Sequence, residues 1–406
     1  MKLIQRWKES RERDELRRRI ETVIRLKIPK IQGVERLPWA LIGARTLPFA
    51  VEFAYRVPAP YSVVDVEKQV DALSAQCGAL IEIVNRGGAV IIRVWTKDFP
   101  MSIPFAEPML QITKGRCILI GYNRKGETVI HDFRVPHLLI AGMSGYGKTD
   151  FVRWVLFQLI SRFSPEEVDI RIIDMKGFSF LPLKGVPHIR EVVTTISGAW
   201  RVLASARQEM ERRARLVLKT GNRDICKTFP WRVVLIDEAT QISPDLISGG
   251  RAKNGEPPTR KDMASFCLEH AIAISSIGRE AGVSLIYATQ YPTAQVIPGL
   301  IKANMDNVVS FKVENEIHAQ VALGHGNNHS AHLPHGIPGR AIVKANGFET
   351  CQVPYIGNDE TWEKLLIPYK TGGEWFYDNN EEDDNEGTDQ QGEDIDDDGE
   401  GSNCLD

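Results

Sequence analysis

Eight consecutive residues combine three glycines with a lysine and a hydroxyl side chain: Gly142, Met143, Ser144, Gly145, Tyr146, Gly147, Lys148 and Thr149. They match the pattern G-x-x-x-x-G-K-[ST], in which glycines let backbone N–H groups close around phosphate oxygens. Lys148 would reach the β- and γ-phosphates of ATP, and Thr149 would offer its hydroxyl to Mg²⁺. We therefore expect all eight residues to line a nucleotide site.

The context of this motif separates it from a glycine-rich turn that binds nothing. The apolar run His137–Ala141 precedes it and is typical of a buried strand. The run that follows, Phe151–Ile160, is typical of a helix. A strand, a glycine-rich loop and a helix in this order are the structural setting that the phosphate-binding pattern requires.

Two carboxylates follow a second apolar run, Arg232–Ile236. Asp237 is suited to hold the Mg²⁺ shell, partly through water, and Glu238 to polarise the attacking water. A strand that ends in Asp-Glu also occurs by chance. Its place downstream of the phosphate-binding loop favours ATP hydrolysis rather than binding alone.

Two further strand ends carry polar residues. Val283–Ala288 is followed by Thr289 and Gln290, whose amide could sense the γ-phosphate, although a polar strand end is also common in plain turns. Another apolar run ends in Asp174, with Lys176-Gly177 close behind. Open α/β sheets bind ligands at this edge, so we expect these side chains near the nucleotide.

The elements that must position these residues form an alternating pattern. Short apolar runs of the kind found in parallel strands buried on both faces alternate with amphipathic helices. This predicts an α/β fold with a three-layer P-loop domain. The strand-like runs are His137–Ala141, Asp169–Ile173, Arg232–Ile236, Val283–Ala288 and Val308–Val313.

Four segments are predicted along the chain: a basic amphipathic helix at 1–30, a small α/β module at 31–130, the ATPase domain at 131–370, and a disordered acidic tail at 371–406. In the helix, Leu16, Ile20, Val23 and Leu26 fall near helical spacing. This helix either packs on the body or a neighbouring subunit, or contacts DNA or a membrane surface. The tail either mimics DNA or only maintains solubility.

Composition narrows the class of protein. The tail holds 15 Asp or Glu and no Lys or Arg, which leaves residues 1–370 with 50 basic and 38 acidic side chains. A body with a charge of +12 suits a polyanionic partner. Six scattered cysteines indicate neither disulfides nor a zinc site, and no apolar run spans a bilayer, so we expect a cytoplasmic protein without its own transmembrane segment.

Several motifs, taken in order, resemble the FtsK/SpoIIIE DNA translocase family over roughly residues 110–345. The more specific ones are Pro136-His-Leu-Leu-Ile-Ala-Gly142, which leads into the phosphate-binding loop, and Gly299-Leu-Ile-Lys-Ala-Asn304. The resemblance implies a RecA-like motor that assembles as a ring, typically a hexamer, around double-stranded DNA. It also implies that Arg279 acts as an arginine finger at the ATP of the next subunit; read without the family, Arg279 fits a surface ion pair.

Departures from the family pattern affect the expected role. Tyr291-Pro292-Thr293 and Glu314–Gln320 replace basic segments, while Lys302 is kept, and a loop at 249–262 carries additional Arg and Lys that could contact phosphates. No membrane-spanning N-terminus or winged-helix module is recognised. The segment Leu333–Arg340 resembles FtsK-domain proteins of Gram-positive mobile elements, which implies transfer or maintenance of plasmid, conjugative-element or phage DNA.

Two functions of different classes remain open at this point. The first is an ATP-driven translocase of double-stranded DNA. The second is a nucleotide-switched adaptor that binds a relaxase, a replication protein or a membrane channel, and such a partner could recruit the chain to the membrane. Glu238 and Arg279 favour the first because both serve turnover.

Overall fold

A computed structural model describes residues 2–27, 39–47, 50–59, 61–86, 89–96, 99–345, 347–371 and 376–378. Apart from Thr371 and residues 376–378, the predicted acidic tail at 371–406 lies outside the described residues. The described part of the chain contains three sheets, one of four strands near the N-terminus, one of eleven strands and one short pair. No helix in these ranges is both long and apolar enough to cross a membrane.

The smaller sheet is antiparallel, with strand order β1-β2-β4-β3, and it lies in the segment predicted as a small α/β module. Within the module, two short helices are separated by a turn at Lys68 and Gln69. The elements are α1 (Lys2–Lys27), β1 (Ala40–Thr46), β2 (Ala50–Arg56), α2 (Val63–Glu67), α3 (Val70–Cys77), β3 (Leu80–Arg86) and β4 (Ala89–Trp95).

The basic helix α1 packs on this module. Leu16, Ile20 and Val23 are buried in one cluster with residues of the sheet and of α3, as their spacing predicted. Leu26 was wrongly assigned to that face, because it is 73% exposed and Ile24 is buried instead. Ten residues make about 2.8 turns of an α-helix, so Leu26 is rotated by roughly 80° from the Leu16 side.

The larger sheet contains β8, the strand that precedes the phosphate-binding loop. Its strand order is β17-β10-β9-β11-β12-β8-β13-β14-β15-β6-β7. The run from β17 to β13 is parallel, and the remaining pairs are antiparallel. Its strands, with the short pair β5 and β16, are β5 (Ile103–Pro104), β6 (Cys117–Asn123), β7 (Thr128–Asp132), β8 (Leu138–Ala141), β9 (Val168–Ile173), β10 (Ile189–Val193), β11 (Trp231–Ile236), β12 (Val283–Thr289), β13 (Asn307–Phe311), β14 (Arg340–Lys344), β15 (Phe348–Gln352), β16 (Pro354–Tyr355) and β17 (Phe376–Asp378).

Helices cover both faces of this sheet, which confirms the three-layer architecture. Residues of α4 and α9 pack in the core of one face, and residues of α5, α6, α7 and α8 in the core of the other. The helices are α4 (Lys148–Arg162), α5 (Ile196–Thr220), α6 (Arg260–Ala281), α7 (Gly299–Ala303), α8 (Glu316–Leu323) and α9 (Asp359–Leu366).

All five predicted strands of the ATPase domain are present, as β8, β9, β11, β12 and β13. The structure adds β6, which lies before the boundary expected at residue 130, and β7, which crosses it, to the same sheet. Gln158 of α4 ties β6 to the domain, since its side chain accepts from the N–H of Leu119 at 2.7 Å and donates to its carbonyl at 3.0 Å. We propose that the domain starts between Trp95 and Cys117.

Two histidines are buried near the amino-terminal ends of the central strands. His131 is the penultimate residue of β7, and neither of its ring nitrogens has a hydrogen-bond partner among the described residues. His137 precedes β8, and its Nδ1 accepts from the N–H of Leu285 at 3.1 Å. Both side chains are almost completely inaccessible to water.

These histidines make folding depend on pH. Burial lowers the pKa of both His131 and His137 to about 4, whereas an unfolded histidine titrates near 6.5. Both rings are therefore neutral in the fold, and their contribution to stability is intact above pH ~6.5 and lost as the pH falls towards 4. We expect the free energy of unfolding to fall by about 2 kcal/mol per histidine between pH 7.5 and pH 5.

Denaturant unfolding at the two pH values measures this effect. The variant His131→Phe cannot titrate at that position and should lose about half of the drop, while His325→Phe, at an exposed position, should follow the unmodified chain. An equal drop in His131→Phe and the unmodified chain would contradict the assignment.

Candidate nucleotide site

Four neighbouring parallel strands, in the order β9-β11-β12-β8, end at one edge of the large sheet. The residues that follow these ends are Asp174, Asp237, Gln290 and Gly142. The structure therefore places together the residues that sequence spacing predicted at this edge.

The phosphate-binding loop depends on glycine at two positions. Gly147 has φ +96°, and a Cβ atom there would lie 2.7 Å from the backbone nitrogen of Gly339. A Cβ at Gly142 would lie 2.6 Å from the Cβ of Phe311 in β13. Larger residues would therefore displace the loop from both neighbours. The N–H of Gly339 also donates to the carbonyl of Tyr146 at 2.9 Å, which fixes the outer side of the loop.

Lys148 begins α4 and is turned towards the Asp-Glu pair. Its ammonium group donates to the backbone oxygen of Asp237 at 2.7 Å and to Oδ1 of Asp237 at 3.1 Å. Lys148 and Asp237 are only 3% and 2% exposed. Each charge is thus compensated by the other, and removal of one partner would leave a buried charge.

Glu238 is held by hydrogen bonds on both carboxylate oxygens. Its Oε1 accepts from the hydroxyl of Thr240 at 2.7 Å, the hydroxyl of Thr289 at 3.0 Å and the N–H of Gln290 at 3.1 Å. Its Oε2 accepts from the same N–H at 3.2 Å and lies 3.8 Å from the ammonium group of Lys176. Gln290 therefore joins the site through its backbone, and the proposed sensing role of its side chain stays a prediction.

Asp174 lies beside this pair. Its side chain is buried, and burial followed by the negative charge of Asp237 raises the pKa of its carboxyl group. The carboxylate accepts from the N–H groups of Lys176 at 3.2 Å and Ser179 at 3.1 Å. Asp174 thus shapes the loop that follows β9.

The donors available for Mg²⁺ are oxygens, which this ion prefers. Thr149 directly follows Lys148 at the start of α4, and the Asp237 carboxylate is contacted by Lys148. These residues fit the predicted Mg²⁺ site, with water and phosphate supplying the other ligands. Bound there, Mg²⁺ would neutralise charge on the phosphates.

A cavity of about 370 Å³ opens beside the phosphate-binding loop, and sequence reasoning did not find it. Gly145, Gly147 and Asp150 form one side of the cavity. The opposite side is mostly apolar: Met101, Pro338, Val353, Pro354 and Tyr355. An apolar slot next to a phosphate site suits a nucleobase. In the sequence, the segment Leu333–Arg340, which includes Pro338 of the cavity lining, was noted only because it resembles mobile-element proteins.

Arg279 is not part of this constellation. It lies in the last turn of α6, is exposed, and precedes Val283 at the start of β12. The nucleotide residues follow the other end of that strand, roughly 20 Å away at about 3.3 Å per residue. Arg279 therefore cannot serve the nucleotide site of its own chain.

The expected DNA-contacting lysine is also engaged within the chain. The ammonium group of Lys302 donates to the carbonyl of Gln320 at 2.8 Å, and burial lowers its pKa. In the basic loop, Arg251 lies 3.7 Å from Asp262, whereas Lys253 is exposed. The residues 260–262 form the first turn of α6 rather than loop.

Comparison with known proteins adds family information. Residues 113–243 match the FtsK/SpoIIIE family model. The chain is 31% identical over 228 residues to the DNA translocase FtsK of Pseudomonas putida, covering 52% of this chain and 27% of that protein. It is 32% identical over 227 residues to the DNA translocase SpoIIIE of Bacillus subtilis, covering 51% of this chain and 27% of that protein. The chain thus spans about a quarter of these relatives.

Solved structures share the fold. The pCW3 conjugation coupling protein TcpA, in a monomer form with ATPγS, superposes with a TM-score of 0.59 at 18% identity, over 88% of this chain and 99% of that one. EssC (ATPases 2 and 3) from Geobacillus thermodenitrificans superposes with a TM-score of 0.54 at 15% identity, over 69% and 54% of the two chains.

Proposed function

Because the chain carries an ATPase domain of the FtsK/SpoIIIE family, we propose that it is an ATP-driven motor that moves double-stranded DNA. The observation that carries this proposal is the joint placement of Lys148, Asp237 and Glu238 at one sheet edge. These residues supply phosphate binding, a Mg²⁺ ligand and a group that orients water, which are the parts needed for hydrolysis. A nucleotide switch would not need Glu238 in this place.

The reaction follows from the roles of these residues. Lys148 would leave Asp237 for the β- and γ-phosphates, which exchanges one anionic partner for another. Glu238 would accept a proton from the attacking water, while the N–H of Gln290 holds its carboxylate in place. The residues of the apolar cavity would hold the base.

The motor is proposed to assemble as a ring, a hexamer, and the position of Arg279 supports this assembly. An exposed arginine at the opposite edge of the sheet can neutralise phosphate charge only at the site of another subunit. The charge of +12 on residues 1–370 suits the DNA partner. Lys253 and its neighbours in the loop at 249–262 are the candidates for phosphate contacts.

The DNA that is moved is proposed to belong to a plasmid, a conjugative element or a phage. The segment Leu333–Arg340, whose Gly339 closes over the phosphate-binding loop, supports this role. The fold shared with a conjugation coupling protein is consistent with it. A relaxase, a replication protein or a membrane channel would then be the partner that directs the motor.

Stimulation of ATP hydrolysis by DNA tests the proposal. We expect duplex DNA to raise phosphate release severalfold at 50 mM salt, and the stimulation to fall steeply by 200 mM because phosphate contacts release counterions. Lys148→Ala, which should show no turnover, controls for contaminating ATPases. Equal hydrolysis with and without duplex at both salt concentrations would reject the motor and favour the nucleotide-switched adaptor.

A further inference from the structure

The loop after β9, residues 174–180, is attached to the nucleotide site at both ends. The carboxylate of Asp174 accepts from the N–H groups of Lys176 and Ser179, at 3.2 and 3.1 Å. The carbonyl of Ser179 accepts from the guanidinium group of Arg153 in α4 at 3.1 Å. Arg153 and Lys148 both belong to α4. The loop is therefore bonded to the helix that carries the phosphate-binding lysine.

The side chain of Lys176 extends from this loop to Glu238. Its ammonium group lies 3.8 Å from Oε2 of Glu238, beyond a short hydrogen bond, and the side chain is 41% exposed against 5% for Glu238. Glu238 already accepts from Thr240, Thr289 and Gln290. The carboxylate is thus stabilised without Lys176, and a loosely held, half-exposed lysine is free to move to a stronger anion.

Lys148 and Lys176 provide positive charge at this edge, and a nucleoside triphosphate would compete with the carboxylates for it. Three nearly buried carboxylates, Asp174, Asp237 and Glu238, face two ammonium groups, those of Lys148 and Lys176. An attacking water must lie between Glu238 and the terminal phosphoryl group, about 3 Å from each. The end of Lys176, next to Glu238, is therefore within reach of that phosphoryl group.

We propose that Lys176 binds the γ-phosphate and thereby distinguishes nucleoside triphosphate from diphosphate. Without a γ-phosphate Lys176 stays against Glu238. With one it transfers to the phosphoryl oxygens and leaves Oε2 of Glu238 open to the attacking water. This inference rests on the ATPase part of the proposed function and is independent of DNA movement.

The test compares the dissociation constants of Mg²⁺-ATPγS and Mg²⁺-ADP in the full chain. A charged hydrogen bond is worth about 10- to 100-fold in affinity. Lys176→Met keeps the length of the side chain without its charge, and should weaken ATPγS binding by about that factor while ADP binding changes less than about twofold. Lys176→Arg should keep most of the preference, since it keeps the charge.

Lys184→Met is the matched control, because Lys184 is an exposed lysine in the segment that follows the loop; it should behave like the unmodified chain. Equal changes for ATPγS and ADP in Lys176→Met, or no change for either, would overturn the inference. If the unmodified chain binds neither nucleotide, the ATPase assignment itself fails, so the two failures are distinguishable.

Discussion

Replacing Glu238 by Gln is expected to lower ATP turnover by about 10²- to 10⁴-fold, which is the usual contribution of a general base. The amide oxygen can still accept from Thr289 and Gln290, as the carboxylate does, but it cannot accept a proton from water. Lys148 and the phosphate-binding loop are unchanged, so the dissociation constant of ATPγS should stay within about threefold. Phosphate release and equilibrium binding measure the two quantities.

A surface glutamate on α6 provides the control. Glu269 is 66% exposed and pairs with Arg207, so Glu269→Gln should leave turnover unchanged. If Glu238→Gln kept more than a tenth of the turnover, Glu238 would be only a structural partner of Thr240, Thr289 and Gln290.

The second large effect is expected at Arg279. Arg279→Ala should lower turnover by about 10³-fold or more, which is the lower range for an arginine finger. Because Arg279 lies at the sheet edge opposite to its own nucleotide site, the loss should be complemented between subunits. Arg279→Ala and Glu238→Gln chains, each inactive alone, should recover turnover when they are mixed.

In the mixed assembly, a Glu238→Gln subunit provides Arg279 to a neighbour whose Glu238 is intact. Arg215→Ala, at an arginine of α5 that is 69% exposed, is the matched control and should retain full turnover. A mixture that stays inactive, or a loss below about threefold in Arg279→Ala alone, would show that Arg279 acts at no neighbouring site.

The central strands could be predicted because burial on both faces leaves an apolar run between polar ends. β8, β11 and β12 appear within one residue of their expected bounds. Strand β10, Ile189–Val193, was not predicted because its sequence has no continuous apolar run. Arg190 in this strand is exposed, and Glu191 forms ion pairs. Strands β6 and β7 were not predicted, and periodicity does not report which strand is a neighbour.

In the site, too, short sequence motifs could be predicted, whereas contacts between residues far apart in the chain could not. The phosphate-binding loop and the Asp-Glu pair were predicted, since each is a short motif attached to one strand. The approach of Gly339 to Gly147 and of Lys176 to Glu238 could not be predicted, because these pairs are far apart in the chain. The hydrogen bond from Lys302 to the carbonyl of Gln320 likewise joins residues that only the fold brings together.

The contact between Gly339 and the phosphate-binding loop has a mechanical consequence. The next residue, Arg340, donates from its guanidinium group to the carbonyl of Pro100 at 2.9 Å and lies 4.0 Å from the centre of the Phe99 ring. Phe99 and Pro100 belong to the segment that joins the small module to the ATPase domain. Gly339 and Arg340 thus contact the phosphate-binding loop on one side and Phe99 and Pro100 on the other, so we expect a displacement of that segment to displace the loop as well.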